Sequence, residues 1–162
     1  MTMTNEQLMR TAMTEVMQNQ NVAYIDEAFS PDFVGHDTAG ETFSLDDFKG
    51  GVQEMQDAFT EAHVEFGDQV SNGDKVVTRW IATGTHSGSF KGIPATGKRI
   101  RITGISIDRI ENGKIAESWE VTDDLSVMMQ VGIVPLPIPA FWAAGKRLFS
   151  RNNSGETELV AS

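Results

Sequence analysis

Residues 99–122 read RIRITGISIDRIENGKIAESWEVT, two strand-like runs on either side of a turn. Arg99 to Ile110 interleaves apolar and polar side chains, is rich in β-branched residues and reads as a strand. Glu111-Asn112-Gly113 then turns the chain, since Asn and Gly tolerate the positive φ of a tight hairpin turn. Lys114 to Thr122 returns as an antiparallel partner. In the first strand Ile100, Ile102, Gly104, Ser106 and Asp108 share a face. In the second, one face carries Ile115, Glu117, Trp119 and Val121, and the other Ala116, Ser118, Glu120 and Thr122.

Working outward, Lys75 to His86 is a further long strand, and Val64, Phe66 and Val70 mark another, joined to it at the hairpin signal Asn72-Gly73. The segment before these strands has a different period. Thr4-x-x-Gln7 is a capping-box pattern, and behind it Leu8, Ala12 and Val16 recur with Met9, Met13 and Met17 at helical spacing. Asn21 is read as the cap of a short helix carrying Val22, Ile25, Ala28 and Phe29, which Pro31 ends. Ser44-x-x-Asp47 starts a third helix with Phe48, Val52, Met55 and Phe59 on one face. After the last strand, Asp123 or Asp124 caps a short helix that Gly132 stops. Helices followed by an antiparallel meander predict an α+β fold, with N-terminal helices packed on a strongly curved antiparallel sheet that forms a cone-shaped pocket.

Residues 1–151 are expected to form a single domain with a core at 5–135. Residues 135–151 form a proline-stiffened arm and helix over the pocket mouth or a partner, and 152–162 a disordered tail. The formal charge of −10 argues against a nucleic-acid partner. No stretch reaches the length of a membrane span, no secretory signal is evident, and cysteine is absent, so a cytoplasmic location is the expectation. His36, His63 and His86 lack metal-ligand spacing, and no metal site is expected. The face of the strands opposite the pocket, represented by Ile115, Trp119 and Val121, predicts a homodimer.

Chemistry is expected where polar residues occupy a concave strand face. Ser118, Glu120, Gly104 and Ser106 meet there if the sheet curls: small residues leave room for a ligand and one acid supplies reactivity. The bland alternative is a solvated face with Glu120 an ordinary surface acid.

Three blocks carry a family likeness. Gly84-Thr85-His86-Ser87-Gly88-Ser89-Phe90-Lys91-Gly92-Ile93-Pro94-Ala95-Thr96-Gly97-Lys98 resembles the G-T-H-x-G-x-F-x-G-I-P-P-T-G-K signature of SnoaL-like polyketide cyclases, with Ala95 at one proline. Arg109-Ile110-Glu111-Asn112-Gly113-Lys114-Ile115 with Glu117-Ser118-Trp119-Glu120 resembles R-I-x-D-G-K-I-x-E-H-W-D, and Asp32-Phe33-Val34-Gly35-His36-Asp37 resembles D-F-V-x-H-D. The resemblance implies an α+β cone and cofactor-independent acid/base ring closure of a small hydrophobic polyketide. It places Glu120 at the catalytic aspartate, and Ser118 and Ser106 at two histidines. His36 is the remaining pocket candidate, a possible substitute for them. Two other readings stay open: a non-catalytic small-molecule-binding module, and a hydroxylase-like or hydrolase-like enzyme of the same fold.

Overall fold

The computed structural model describes residues 3–133, so the arm and helix expected at 135–151 and the tail at 152–162 lie outside the described residues. Helix α1 (Asn5–Met13) starts where the capping box places it. Thr4 Oγ1 accepts from the Gln7 amide, and the Gln7 side chain accepts from the Thr4 amide. It runs on into a π-helical turn, Thr14–Gln18. Helix α3 (Leu45–Ala58) has the same device, with Ser44 and Asp47 in the two roles. Helix α4 (Asp124–Val131) is capped by Asp123, whose carboxylate accepts from the Ser126 amide, and ends at Gly132 with φ 95°.

The early segment departs from the sequence reading. Helix α2 is only Tyr24–Ala28, and its N-cap is Ala23 rather than Asn21. Asn21 instead uses its side chain on Glu15. Phe29 opens a strand, β1 (Phe29–His36), which contains Pro31. Proline stops a helix, but it is tolerated in a strand where no ladder hydrogen bond is required of its nitrogen. Here the register with the neighbouring strand breaks between Phe29 and Val34, around Pro31.

Strands β2 (Thr42–Ser44), β3 (Phe59–Asn72), β4 (Lys75–His86), β5 (Arg99–Glu111) and β6 (Lys114–Thr122) complete one sheet of order β2-β1-β6-β5-β4-β3. The meander β3 to β6 is antiparallel as expected, but β1 pairs with β6 in parallel, so the sheet is mixed. The β3–β4 turn falls at Gly73 and Asp74, one residue beyond the expected Asn72-Gly73, while Asn112 and Gly113 both take positive φ in the β5–β6 turn.

A second correction comes from β6. Arg109 faces Glu117 and Ile110 faces Ile115, so Ala116 is an extra residue in a bulge. The bulge reverses the alternation behind it: Ile115, expected on the outer face with Trp119 and Val121, is fully buried on the inner one. Inside, α1 with its π-helical turn, α2 and α3 pack Leu8, Met9, Ala12, Val16, Ile25, Leu45 and Val52 against Phe29, Phe33, Val76, Ile110 and Ile115. Apart from Ala12, each such side chain contributes about 1.5–3 kcal/mol by burial. This packing seals one end of the concave face. A smaller cluster of Ile100, Val127 and Val131, with Phe59, Phe90, Ile93 and Ile102 against it, lines the other end.

The β4–β5 connection is anchored rather than loose. Ser87 and Gly88 amides both donate to the Ala58 carbonyl at the end of α3, the His86 amide to Lys98, and the Gly97 amide to His86. His86 is fully buried with Nδ1 3.0 Å from Thr96 Oγ1, a structural position. A Cβ on Gly88 would be driven into the backbone carbonyl of Asp57. Gly88→Ala should therefore lower stability by about 1–3 kcal/mol, as overpacking does, measured by urea unfolding.

Candidate active site

The rungs of β4, β5 and β6 determine what meets on the concave face. Thr78, Ser106 and Glu120 are neighbours on one rung, and Val76, Asp108 and Ser118 on the next. Adjacent rungs on the same face of a ladder bring diagonal side chains within roughly 7–8 Å, so Glu120 and Asp108 belong to one site. They line a cavity of about 520 Å³ between this wall, α1, α3 and α4. Its remaining lining is mostly apolar and includes Met9, Met13, Phe33, Phe59, Trp80 and Val127.

Asp108 sits at the bottom of the wall, 3% exposed. Ser106 Oγ donates to its Oδ2 at 2.7 Å and Ser118 Oγ to its Oδ1 at 2.7 Å. Burial pushes its pKa up to about 6, against the opposing pull of the Ser118 and Ser106 hydrogen bonds. Glu120 has a different setting. Its side chain is open to solvent, but that surface faces the cavity, where protein surrounds it. Desolvation there, followed by the charges of Asp108 and Asp124, pushes its pKa up to about 7. No hydrogen bond among the described residues contributes to that shift. A carboxyl of this kind changes protonation near neutrality and is free to turn toward a ligand.

The structure thus brings together Glu120, Ser118 and Ser106, three of the residues singled out in the sequence. Gly104 lies on the same face, opposite Trp80 and Thr122, but does not line the cavity. The Trp80 indole covers it, and an added Cβ would land on the ring. His36 is not brought to the cavity. Parallel pairing places it beside Trp119, whose side chain faces outward, and neighbours in a sheet share a face. Its ring stacks on Trp119 with centroids 4.8 Å apart, and Nε2 lies 2.9 Å from Glu117 Oε1. Asp108 is the residue that sequence reasoning passed over as an acid. Its parity with Ser106 was visible, but its depth below the helices was not. Asp124 also lines the cavity, where its Oδ1 accepts from Thr122 Oγ1 at 2.9 Å, while Asp123 alone is the helix cap.

Raised carboxyl pKa values have a definite sign for stability. The folded state holds these protons more tightly than the unfolded chain, so the stabilisation is fully present below about pH 4 and is lost as pH rises through about 6 for Asp108 and about 7 for Glu120. Glu120→Gln removes one of these groups. The variant should gain stability relative to the unsubstituted protein as pH rises from about 5 to 8, read as a widening difference in Tm.

Comparison with known proteins agrees with this architecture. The SnoaL-like polyketide cyclase family profile matches residues 7–131. Aklanonic acid methyl ester cyclase DnrD of Streptomyces peucetius is 35% identical over 96 residues, 59% of this chain and 66% of the relative. The corresponding DauD of Streptomyces sp. strain C5 is 35% identical over 96 residues, 59% of either chain. These matches thus span less than two thirds of the curated relatives' length. Among solved structures, wild-type IdmH of Streptomyces antibioticus, described as a candidate polyketide cyclase, is 30% identical with TM-score 0.67, covering 76% of this chain and 95% of its own. AclR of Streptomyces galilaeus, described as a candidate hydroxylase, is 22% identical with TM-score 0.79 over 94% of this chain and 97% of its own, a likeness of fold alone. With the profile matching well over half of its length, the chain belongs to the SnoaL-like polyketide cyclase family.

Proposed function

We propose that this protein closes a ring in a small, hydrophobic polyketide by intramolecular aldol-type addition, with Glu120 as general acid/base and no cofactor. The observation that carries this reading is a carboxyl with no hydrogen-bond partner among the described residues, raised to about 7, on the wall of a largely apolar cavity of about 520 Å³. The cyclase names of DnrD and DauD support the reaction class, and the neutral methyl ester in those names suits a cavity with carboxyls at Asp108, Glu120 and Asp124.

The chemistry needs one proton carrier. The Glu120 carboxylate takes a proton from a carbon flanked by carbonyl groups. The resulting enolate carbon attacks a ketone carbon of the same molecule, forming the C–C bond. The alkoxide so formed takes the proton back from the Glu120 carboxylic acid, which restores the carboxylate. A pKa near the working pH suits both transfers. The apolar walls fold the substrate so that its two ends meet, and this proximity supplies the other large contribution.

A binding module without chemistry is the second reading. It is favoured by Ser106 and Ser118, which direct their hydroxyl protons at Asp108 instead of at a substrate carbonyl.

Glu120→Gln keeps shape and removes the base. Turnover of aklanonic acid methyl ester should fall by about 10²–10⁴, and the rate of the unsubstituted protein should rise with pH through about 7 as the base ionises. Full activity of the variant would remove Glu120 as the base, and absence of turnover by the unsubstituted protein would favour the binding module.

The outer sheet face also supports the homodimer. Val70, Val77, Ile107 and Trp119 fall on one rung across β3, β4, β5 and β6, with Ile105 and Val121 on the next. Val70, Val77, Ile105, Ile107 and Val121 are exposed in the single chain. A second copy would cover this stripe through a self-complementary two-fold contact. Sedimentation should show a dimer at micromolar concentration and a monomer for Ile107→Lys. A monomeric unsubstituted protein would contradict the pairing.

A further inference from the structure

The hydroxyls on the β5–β6 wall have a fixed polarity. A serine or threonine hydroxyl has one proton and two lone pairs. Ser106 and Ser118 give their protons to Asp108, and Thr122 gives its proton to Asp124. Asp108 is buried and depends on those donors, because a buried carboxylate without hydrogen bonds is costly. Turning either serine toward a ligand carbonyl would strip one of them away. What the serines present to the cavity is therefore lone pairs. The Glu120 carboxylate beside them accepts as well.

The donors elsewhere around the cavity stand on other elements. The Gln56 amide, on α3, is committed to the Val16 carbonyl at 2.9 Å. Trp80, on β4, has an indole N–H that is buried with no partner among the described residues. While Glu120 is ionised, a ligand carbonyl thus has no side-chain donor among the described residues of β5–β6, whereas a ligand O–H meets several acceptors there.

We propose that the Ser106–Asp108–Ser118 cluster is a subsite for a hydroxyl group on the ligand, so that this cavity selects hydroxylated aromatic or enolic rings over their O-alkylated counterparts. The inference rests on reading the cavity as the substrate site and adds what the ligand must present to one wall. Asp108 acts here as a positioning residue: it sets the direction of both serine hydroxyls and thereby the polarity of the wall.

Two probes of nearly equal shape test it, 2-naphthol and 2-methoxynaphthalene, titrated at pH 7.5 with binding read by calorimetry. The unsubstituted protein should bind 2-naphthol at least about tenfold more tightly, the usual scale of one well-made hydrogen bond to a charged cluster. In Asp108→Asn the side-chain amide donates to one serine, whose own proton then turns to the cavity, and the preference should fall below about threefold. Ser118→Ala removes one of the two hydroxyls and should also reduce the preference, and it decides the matter if Asp108→Asn does not fold. Equal or tighter binding of the ether, no binding of either probe, or an unchanged preference in the foldable Asp108 and Ser118 variants would each overturn the proposal. The readout is binding without turnover. Its failure leaves Glu120 standing as the base, and failure of the turnover test leaves this subsite standing.

Discussion

The register of the β5–β6 hairpin places Asp108 and Glu120 on adjacent rungs of a concave sheet face, and the chemistry of the molecule follows from that placement. On a flat, solvated sheet the two carboxyls would be ordinary surface acids. Here helices close over the face, so both are drawn out of bulk water and raise their pKa values, and the charge of Asp108 adds to the rise at Glu120. The two respond differently because their partners differ. Asp108 is fixed by two serine hydroxyls, while Glu120 has no such anchor among the described residues. One carboxyl therefore organises the wall, and the other remains available to move a proton.

The rest of the fold keeps this face enclosed. Helices α1, α2 and α3 fill one end with aliphatic and aromatic side chains, and α4 with the anchored β4–β5 connection lines the other. The middle is left open because the side chains there are small or set aside: Ser106 and Ser118 are short, and the Trp80 indole occupies the space that a side chain on Gly104 would take. A larger residue at position 104 would push that indole into the cavity. Stability and function meet at this glycine, which lines no pocket yet determines how much room the pocket has.

Much of this was legible in the sequence because the signals were local. Capping boxes at Thr4 and Ser44, the Asn112-Gly113 turn and the two-residue period of β5 and β6 each depend on residues within a few positions of one another. The features that escaped are non-local. Strand β1 was hidden because Pro31 reads as a helix stop, and its parallel seat beside β6 is a pairing across some 80 residues, a separation of the order given for His36 and Glu117. That same seat turns His36 outward. The bulge at Ala116 leaves no clear mark in the sequence, yet it moves Ile115 from the outer face to the core. Asp108 shows a further limit: alternation gives the face a residue occupies, but only the packed helices determine how deeply it is buried.

Glu120 is an enclosed carboxyl whose protonation is tied to burial and to the charge of Asp108. Carbon-13 NMR titration of the Glu120 side-chain carboxyl measures this without any substrate. The midpoint should lie near 7, and lower in Asp108→Asn, where the neighbouring charge is gone. A midpoint at the ordinary glutamate value of about 4.3, unmoved by the Asp108 substitution, would contradict it.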